Sequence, residues 1–204
     1  MIARSFLVTL CSGLVLGGVQ SAHAAVPNPV TSTVMTVIVA SSSGITFPTA
    51  DPFDNAGFQV TVRDVNNAPI FGSTVSLNYS GAAGTRIYTV TPGATVNCAL
   101  KTLSGTTDSG GYVKFGVQAG GFNNANVVTV SADGVILANV RARSTDIDGV
   151  GARTDVNDLN VFRVKLFTTA PPEIDFDISG ISDVGDLNLF RQDLFSGAAG
   201  AYCP

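Results

Sequence analysis

Oxygen-bearing side chains crowd into the last third of the chain at a regular spacing. Asp175, Asp177, Ser179, Gly180, Ile181, Asp183 and Asp186 stand at positions 1, 3, 5, 6, 7, 9 and 12 of a twelve-residue stretch, the spacing with which a loop wraps a calcium ion. Each position suits its task. Oxygen donors fall at 1, 3 and 5, and a glycine at 6 admits a sharp bend. Ile181 offers its carbonyl at 7 while its side chain is expected in the core, and Asp183 acts through water. Asp186 at position 12 supplies the bidentate carboxylate and places an anion in the first turn of the helix that follows.

The same design occurs twice. Asp155-Val156-Asn157-Asp158-Leu159-Asn160-Val161-Phe162-Arg163 returns as Asp183-Val184-Gly185-Asp186-Leu187-Asn188-Leu189-Phe190-Arg191, an offset of 28 (183 minus 155), and Leu166-Phe167 returns as Leu194-Phe195. Leu159, Phe162 and Leu166, like Leu187, Phe190 and Leu194, recur at i, i+3 and i+7, so each copy predicts a helix with one apolar stripe, and the two stripes are expected to pack together. A repeat with the Ala170-Pro171-Pro172 spacer between its copies reads as two equivalent loop-and-helix units. The earlier loop is the poorer: Asp146, Asp148, Gly151, Asp155 and Asp158 keep the outline, but Val150 takes position 5 and the loop is one residue longer. Ligand count therefore makes Asp175–Asp186 the tighter expected calcium site and Asp146–Asp158 the weaker.

A duplicated calcium loop, each followed by a single helix, with Asp at position 12 and a Pro-containing spacer, closely resembles a dockerin domain over Asp146 to about Ser196. The resemblance implies calcium-dependent folding and docking onto a cohesin-like partner in an extracellular assembly, often one that handles polysaccharides. Just before the last ligand, where cellulosomal dockerins frequently carry Ser-Thr, this chain has Val156-Asn157 and Val184-Gly185. That departure leaves calcium binding intact and speaks against ordinary cohesin recognition.

Charge marks the same region off. From Asp146 onward there are ten acids (Asp146, Asp148, Asp155, Asp158, Glu173, Asp175, Asp177, Asp183, Asp186, Asp193) and four bases (Arg153, Arg163, Lys165, Arg191), whereas residues 26–145 carry five acids and six bases. Nucleic acid would be repelled there and a hard cation attracted. At the other end, Met-Ile-Ala-Arg, the apolar run Phe6 to Leu16 and Ala22-His23-Ala24 follow the order of a secretory signal, so residues 1–24 are expected to be removed after Ala24. Cleavage would take away His23, the one histidine, and there is no tryptophan; Ser-His-Asp, Cys-His and His-ligated zinc chemistry are then excluded. Two cysteines would remain, Cys98 and Cys203, and an even pair in an exported chain is expected to form a disulfide.

Between these ends, short runs of Val, Ile, Thr, Tyr and Phe alternate with Gly, Asn, Asp and Pro. The pattern predicts strands at about Thr33–Ala40, Phe58–Arg63, Ser73–Tyr79, Arg86–Val90, Val96–Leu103, Tyr112–Gln118, Val127–Ser131 and Val135–Arg141. Asp133-Gly134 sits where a two-residue hairpin loop needs positive φ. The runs Phe58–Asp64, Pro69–Val75 and Thr107–Phe115 resemble bacterial Ig-like domains of the invasin and intimin type, in which a D-x-N-x-x-P turn leads to a G-x-x-V strand and a T-D-x-x-G turn follows. The expected fold is thus mainly β: an Ig-like β-sandwich over 26–143, then a small α-helical dockerin-like calcium-binding module over 144–204 with its tail. Tyr79, Tyr88 and Tyr112 read as core or ordinary surface rather than a sugar platform, and Asp51 and Asp54 as a polar turn.

The functional expectation is a secreted, non-catalytic calcium-binding protein, extracellular, at the cell surface or periplasmic. It would serve adhesion or protein assembly with a cohesin-like or surface protein and touch neither nucleic acid nor membrane after signal cleavage. The alternative is an accessory carbohydrate-binding or polysaccharide-degradation component delivered by its dockerin.

Overall fold

The computed structural model describes residues 25–34, 37–40, 58–91, 93–151, 153–168, 173–176, 179–195 and 201–204. The signal segment, Asp51, Asp54, the spacer at 170–172 and the expected ligand Asp177 lie outside them. The described chain is mainly β, with eleven strands and two helices: β1 Thr33–Val34, β2 Val37–Ala40, β3 Phe58–Thr61, β4 Thr74–Asn78, β5 Thr85–Ile87, β6 Thr95–Asn97, β7 Thr102–Thr106, β8 Tyr112–Phe115, β9 Ala119–Gly121, β10 Asn123–Ala132, β11 Val135–Ser144, α1 Val156–Lys165 and α2 Val184–Asp193. No helix among the described residues is long and apolar enough to cross a membrane.

The strands form three sheets, ordered β1-β3-β8, β2-β11-β10-β4-β7-β6 and β5-β9, all antiparallel except the β2–β11 pair. Period-2 alternation turns Phe58 and Val60 of β3 inward, as it does Val75 and Leu77 of β4 and Val128 and Val130 of β10. These side chains, with Leu103 and Val113, meet in one buried apolar cluster to which both larger sheets contribute. The hairpin at Asp133-Gly134 forms as expected: Ala132 pairs with Val135, and φ is +47° and +83° at the two loop residues, the mirror-turn geometry that matches strand twist. Asp64 and Asp108 each close their own turn, Asp64 Oδ1 accepting the Asn66 and Ala68 amides and Asp108 Oδ1 those of Gly110 and Tyr112.

Two expectations for strands are corrected, and one strand is unexpected. The run Thr33–Ala40 is divided between β1 and β2, which belong to different sheets. Val96–Leu103 is a hairpin rather than one strand: Cys98 to Lys101 turns, with Lys101 at φ +51° and its amide on the Cys98 carbonyl, and Thr95 pairs with Ser104. The Gly-rich Ala119–Gly121 forms β9, which no apolar alternation announces; it pairs with β5.

β11 ends at Ser144 and the chain enters the acidic region at once. A second apolar cluster sits there, built from Ile147, Phe162, Ile174, Phe176 and Phe190, with Leu159, Leu166, Leu187 and Leu194 packed on it. The Phe162 and Phe190 rings stack at 4.7 Å, and Phe176 stacks on both at 6.0 and 6.4 Å. The two apolar stripes read from the repeat thus share one aromatic core.

Candidate metal centre

Both helices start on the same scaffold. Asp155 Oδ1 accepts the Asn157 amide and Asp183 Oδ1 the Gly185 amide, each at 2.7 Å, so each of these aspartates caps a helix N-terminus. Three residues on, Asp158 Oδ2 accepts the Asp155 amide at 2.8 Å and Asp186 Oδ2 the Asp183 amide at 2.9 Å. Their other oxygens reach back into the loops: Asp158 Oδ1 accepts from the Asp148 amide at 3.0 Å, and Asp186 Oδ1 from the Phe176 amide at 2.6 Å. The helix ends are exchanged between copies. The Phe195 amide donates to the Thr154 carbonyl at 2.9 Å and the Phe167 amide to the Ser182 carbonyl at 3.1 Å, while Phe167 and Phe195 share the left-handed φ of +62° and +65°. Every one of these pairs is related by the 28-residue offset, so the duplication is a reciprocal pair in space.

The carboxylates ahead of this frame are not equivalent. With Asp148 and Phe176 matched by their bonds to Asp158 and Asp186, Asp146 falls where the second copy has Ile174, and Ile147 where it has Asp175. The leading carboxylate of the first loop therefore stands one position further from its helix than Asp175 does, and the two loops present their carboxylates differently. Asp146, Asp148 and Asp158 bring one oxygen each within 4.8 Å of one another, Asp146 and Asp158 being buried and Asp148 exposed. Asp155, the fourth expected ligand, is outside this trio and serves as the α1 cap, 3.6 Å from Arg153 Nε.

Asp146 is the residue about which the first loop is organised. Its carbonyl accepts the Gly121 amide at 2.7 Å and its amide donates to Ser144 Oγ at 3.1 Å. Its Oδ2 accepts the Tyr202 hydroxyl and faces the Tyr88 hydroxyl at 3.4 Å, whereas Oδ1 is buried with no hydrogen-bond partner. Burial pushes its pKa up to about 7, against the Tyr202 hydrogen bond, and the charges of Asp158 and Asp148 push the same way as burial. Burial likewise raises Asp158 to about 6, opposed by backbone amides led by that of Asp155. A hard cation fits this environment: the donors are all carboxylate oxygens, and a buried anionic oxygen lacks a partner.

In the second loop Asp175 turns to a protein cation instead. Its Oδ2 lies 3.2 Å from Nη1 of Arg143, a fully buried residue of β11, and accepts the Gly180 amide at 3.2 Å; Oδ1 has no hydrogen-bond partner. Burial lowers the Arg143 pKa and the Asp175 charge opposes that shift. Ser179 Oγ donates to the Ile181 carbonyl at 3.1 Å. The Ile181 side chain is 54% exposed, a correction to the expectation that it enters the core; Ile174 and Phe176 fill that space. Among the described residues this loop gathers no trio comparable to the first.

Sequence reading missed Arg143, Tyr88 and Tyr202, which come from the β region and from beyond the repeat, and it missed Thr145 and Thr154, whose hydroxyls both donate to the buried carboxylate of Asp193 at the end of α2. No local spacing announces them. Cys98 and Cys203 do form the expected disulfide, with Cα atoms 5.1 Å apart. Tyr79 and Tyr88 are fully buried, in keeping with their reading as core. Compared with known proteins, the chain matches no family model, no curated protein and no solved structure.

Proposed function

We propose that this is a secreted, non-catalytic calcium-binding protein in which an Ig-like sandwich carries a dockerin-like pair of loop-helix units, serving extracellular or cell-surface protein assembly or adhesion. The observation that carries the cation reading is the convergence of Asp146, Asp148 and Asp158 around a buried, partnerless Asp146 oxygen. Calcium is the hard cation that an all-oxygen set with flexible loop donors suits best. Asp146, Asp148 and Asp158 would hold it in the first loop, and Asp175, Asp177, Ser179, the Ile181 carbonyl, Asp183 and Asp186 in the second. What the ion supplies is cohesion: it neutralises carboxylates that otherwise repel one another, and so ties the start of α1 to the end of β11. The partner on this reading is a cohesin-like or surface protein.

A second reading, an accessory carbohydrate-binding role, draws on a cavity of about 360 Å³ beside β5, lined by Tyr79, Arg86, Lys101 and Tyr202 among others. Polysaccharide pull-down against surface-protein capture separates the two.

Calorimetric titration with calcium tests the cation reading. Asp158→Asn should weaken the first loop's event by on the order of 100-fold, with Asp186→Asn weakening the second loop's. Failure of the unaltered protein to take up calcium would end this reading.

A further inference from the structure

We propose that residues 201–203 are a working part of the first loop's cation site: Tyr202 is the positioning residue that orients Asp146, and the Cys98–Cys203 disulfide holds Tyr202 there, so cation affinity depends on the oxidation state of that disulfide. The inference rests on the cation reading above and adds a control to the same site.

The segment is seated as a short extra strand. Thr89 donates its amide to the Ala201 carbonyl at 2.9 Å, Cys203 donates its amide to the Ile87 carbonyl at 2.8 Å, and Tyr88 and Tyr202 pair as an antiparallel bridge. The Tyr88 and Tyr202 rings lie 4.6 Å apart, and Arg86 stands over the Tyr202 ring at 5.8 Å. Two backbone hydrogen bonds, one ring contact, the Arg86 contact and the Tyr202 hydroxyl's own bond to Asp146 are a weak hold beside a covalent bond, each hydrogen bond contributing about 1 kcal/mol net. The covalent bond from Cys203 to Cys98, in the β6–β7 turn, is the strong one.

Space for Tyr202 is built in. A Cβ on Gly120 would collide with the Tyr202 hydroxyl, so glycine in β9 is what lets that hydroxyl reach Asp146. It donates to Oδ2, Tyr88 stands 3.4 Å from the same oxygen, and Oδ1 is left buried and partnerless. A carboxylate with one oxygen fixed by a phenol and the other unengaged is oriented as ligating carboxylates are by their outer partners, whose loss typically costs 10- to 100-fold in metal affinity. Reduction acts through this contact. A dithiol breaks the Cys98–Cys203 S–S bond, the two cysteines gain two electrons and two protons as thiols, and the dithiol becomes its own disulfide. Residues 201–203 then retain only the weak hold, and Asp146 loses the nearer of its two phenol donors, keeping the Tyr88 hydroxyl at 3.4 Å.

Terbium(III) is the probe. The chain has no tryptophan, so emission excited through protein side chains comes from tyrosine, and Tyr88 and Tyr202 both border Asp146. Oxidised protein should show tyrosine-excited terbium emission that calcium displaces. Tyr202→Phe, which keeps the ring and the disulfide, should weaken calcium roughly 10- to 100-fold, and luminescence lifetimes in H2O and D2O should show more bound water. Treatment with a dithiol, or Cys98→Ser with Cys203→Ser, should give a similar loss. Reduction of Tyr202→Phe should add nothing further, because both act on one contact. Unaltered affinity and lifetime in Tyr202→Phe, or full additivity of the two changes, overturns the proposal while the cation reading stands. Absence of any terbium or calcium uptake by the oxidised parent protein overturns the cation reading itself and the proposal with it.

Discussion

The two acidic loops share a helix cap, a back-reaching carboxylate and an aromatic core, yet they face different electrostatic partners. In the second, Asp175 rests against buried Arg143 at 3.2 Å; in the first, Asp146, Asp148 and Asp158 face one another, with no protein cation among the groups that shift Asp146. Ligand count orders the sites one way, since the second loop has the fuller oxygen set. Gathered geometry orders them the other way, because a cation entering the second loop competes with a guanidinium, whereas in the first it relieves repulsion between carboxylates. A sequence repeat therefore guarantees an equivalent frame, not equivalent chemistry. One carboxylate shifted by a single position and one arginine from a neighbouring strand are enough to separate the two.

The sharpest statement of shared frame is that the aromatic core belongs to both copies alike. Phe162→Ala and Phe190→Ala should each destabilise the protein by roughly 3 to 5 kcal/mol, the range for emptying a buried aromatic site, and by nearly equal amounts, as read by chemical denaturation. Losses differing by more than about half of that range would mean the core is organised around one copy.

Arg143→Met attacks the difference instead. Removing one member of a buried ion pair typically costs about 3 kcal/mol or somewhat more because the other charge is left uncompensated, so the cation-free protein should lose about that much. Calcium should then restore more stability than it adds to the unaltered chain, since Asp175 becomes available as a ligand. If calcium gives no greater rescue, the arginine is not what holds the second loop back.

Legibility in the sequence follows the range of the interactions. The β character, the Asp133-Gly134 hairpin, both helices and their apolar stripes depend on neighbours within a few residues, and all could be read directly. The disulfide could be read because Cys98 and Cys203 are the two cysteines that lie outside the expected signal segment. Arg143 could not: it looks like any residue of an alternating strand, and its burial against Asp175 depends on where β11 delivers the chain. Tyr202 could not, because its target lies 56 positions away. The gathering of Asp146, Asp148 and Asp158 could not be read either, because ligand count along the sequence does not show which carboxylates the fold brings together.

Acidity tests the first loop in a graded way. In the cation-free protein burial raises Asp146 to about 7 and Asp158 to about 6, above the ordinary unfolded value near 4. The folded state therefore binds more protons than the unfolded state between those values, and stability must fall as pH rises through that window. Without calcium the melting temperature should be higher at pH 5 than at pH 8. With calcium the order should reverse, because the ion binds the deprotonated carboxylates. Asp146→Asn should flatten most of the cation-free slope, and a slope that survives it would place the titration elsewhere.

The smallest expected effect returns to the caps, where frame and ligand can be told apart. Asp155 and Asp183 each accept a helix amide at 2.7 Å, and both occupy the position at which a calcium loop uses a ligand, often through water. As caps alone, Asp155→Ala and Asp183→Ala should each cost about 1 kcal/mol, equally with and without calcium. As ligands, the loss should grow when calcium is present. In the first loop, whose trio excludes Asp155, the loss at Asp155 should be the same in both conditions, whereas Asp183 belongs to the fuller set and should show a calcium-dependent increment. Denaturation of both variants at saturating calcium and in chelator measures this directly. A calcium-dependent increment at Asp155 would mean that the first loop recruits its cap when the ion arrives, and the contrast between the two loops would narrow to Arg143 alone.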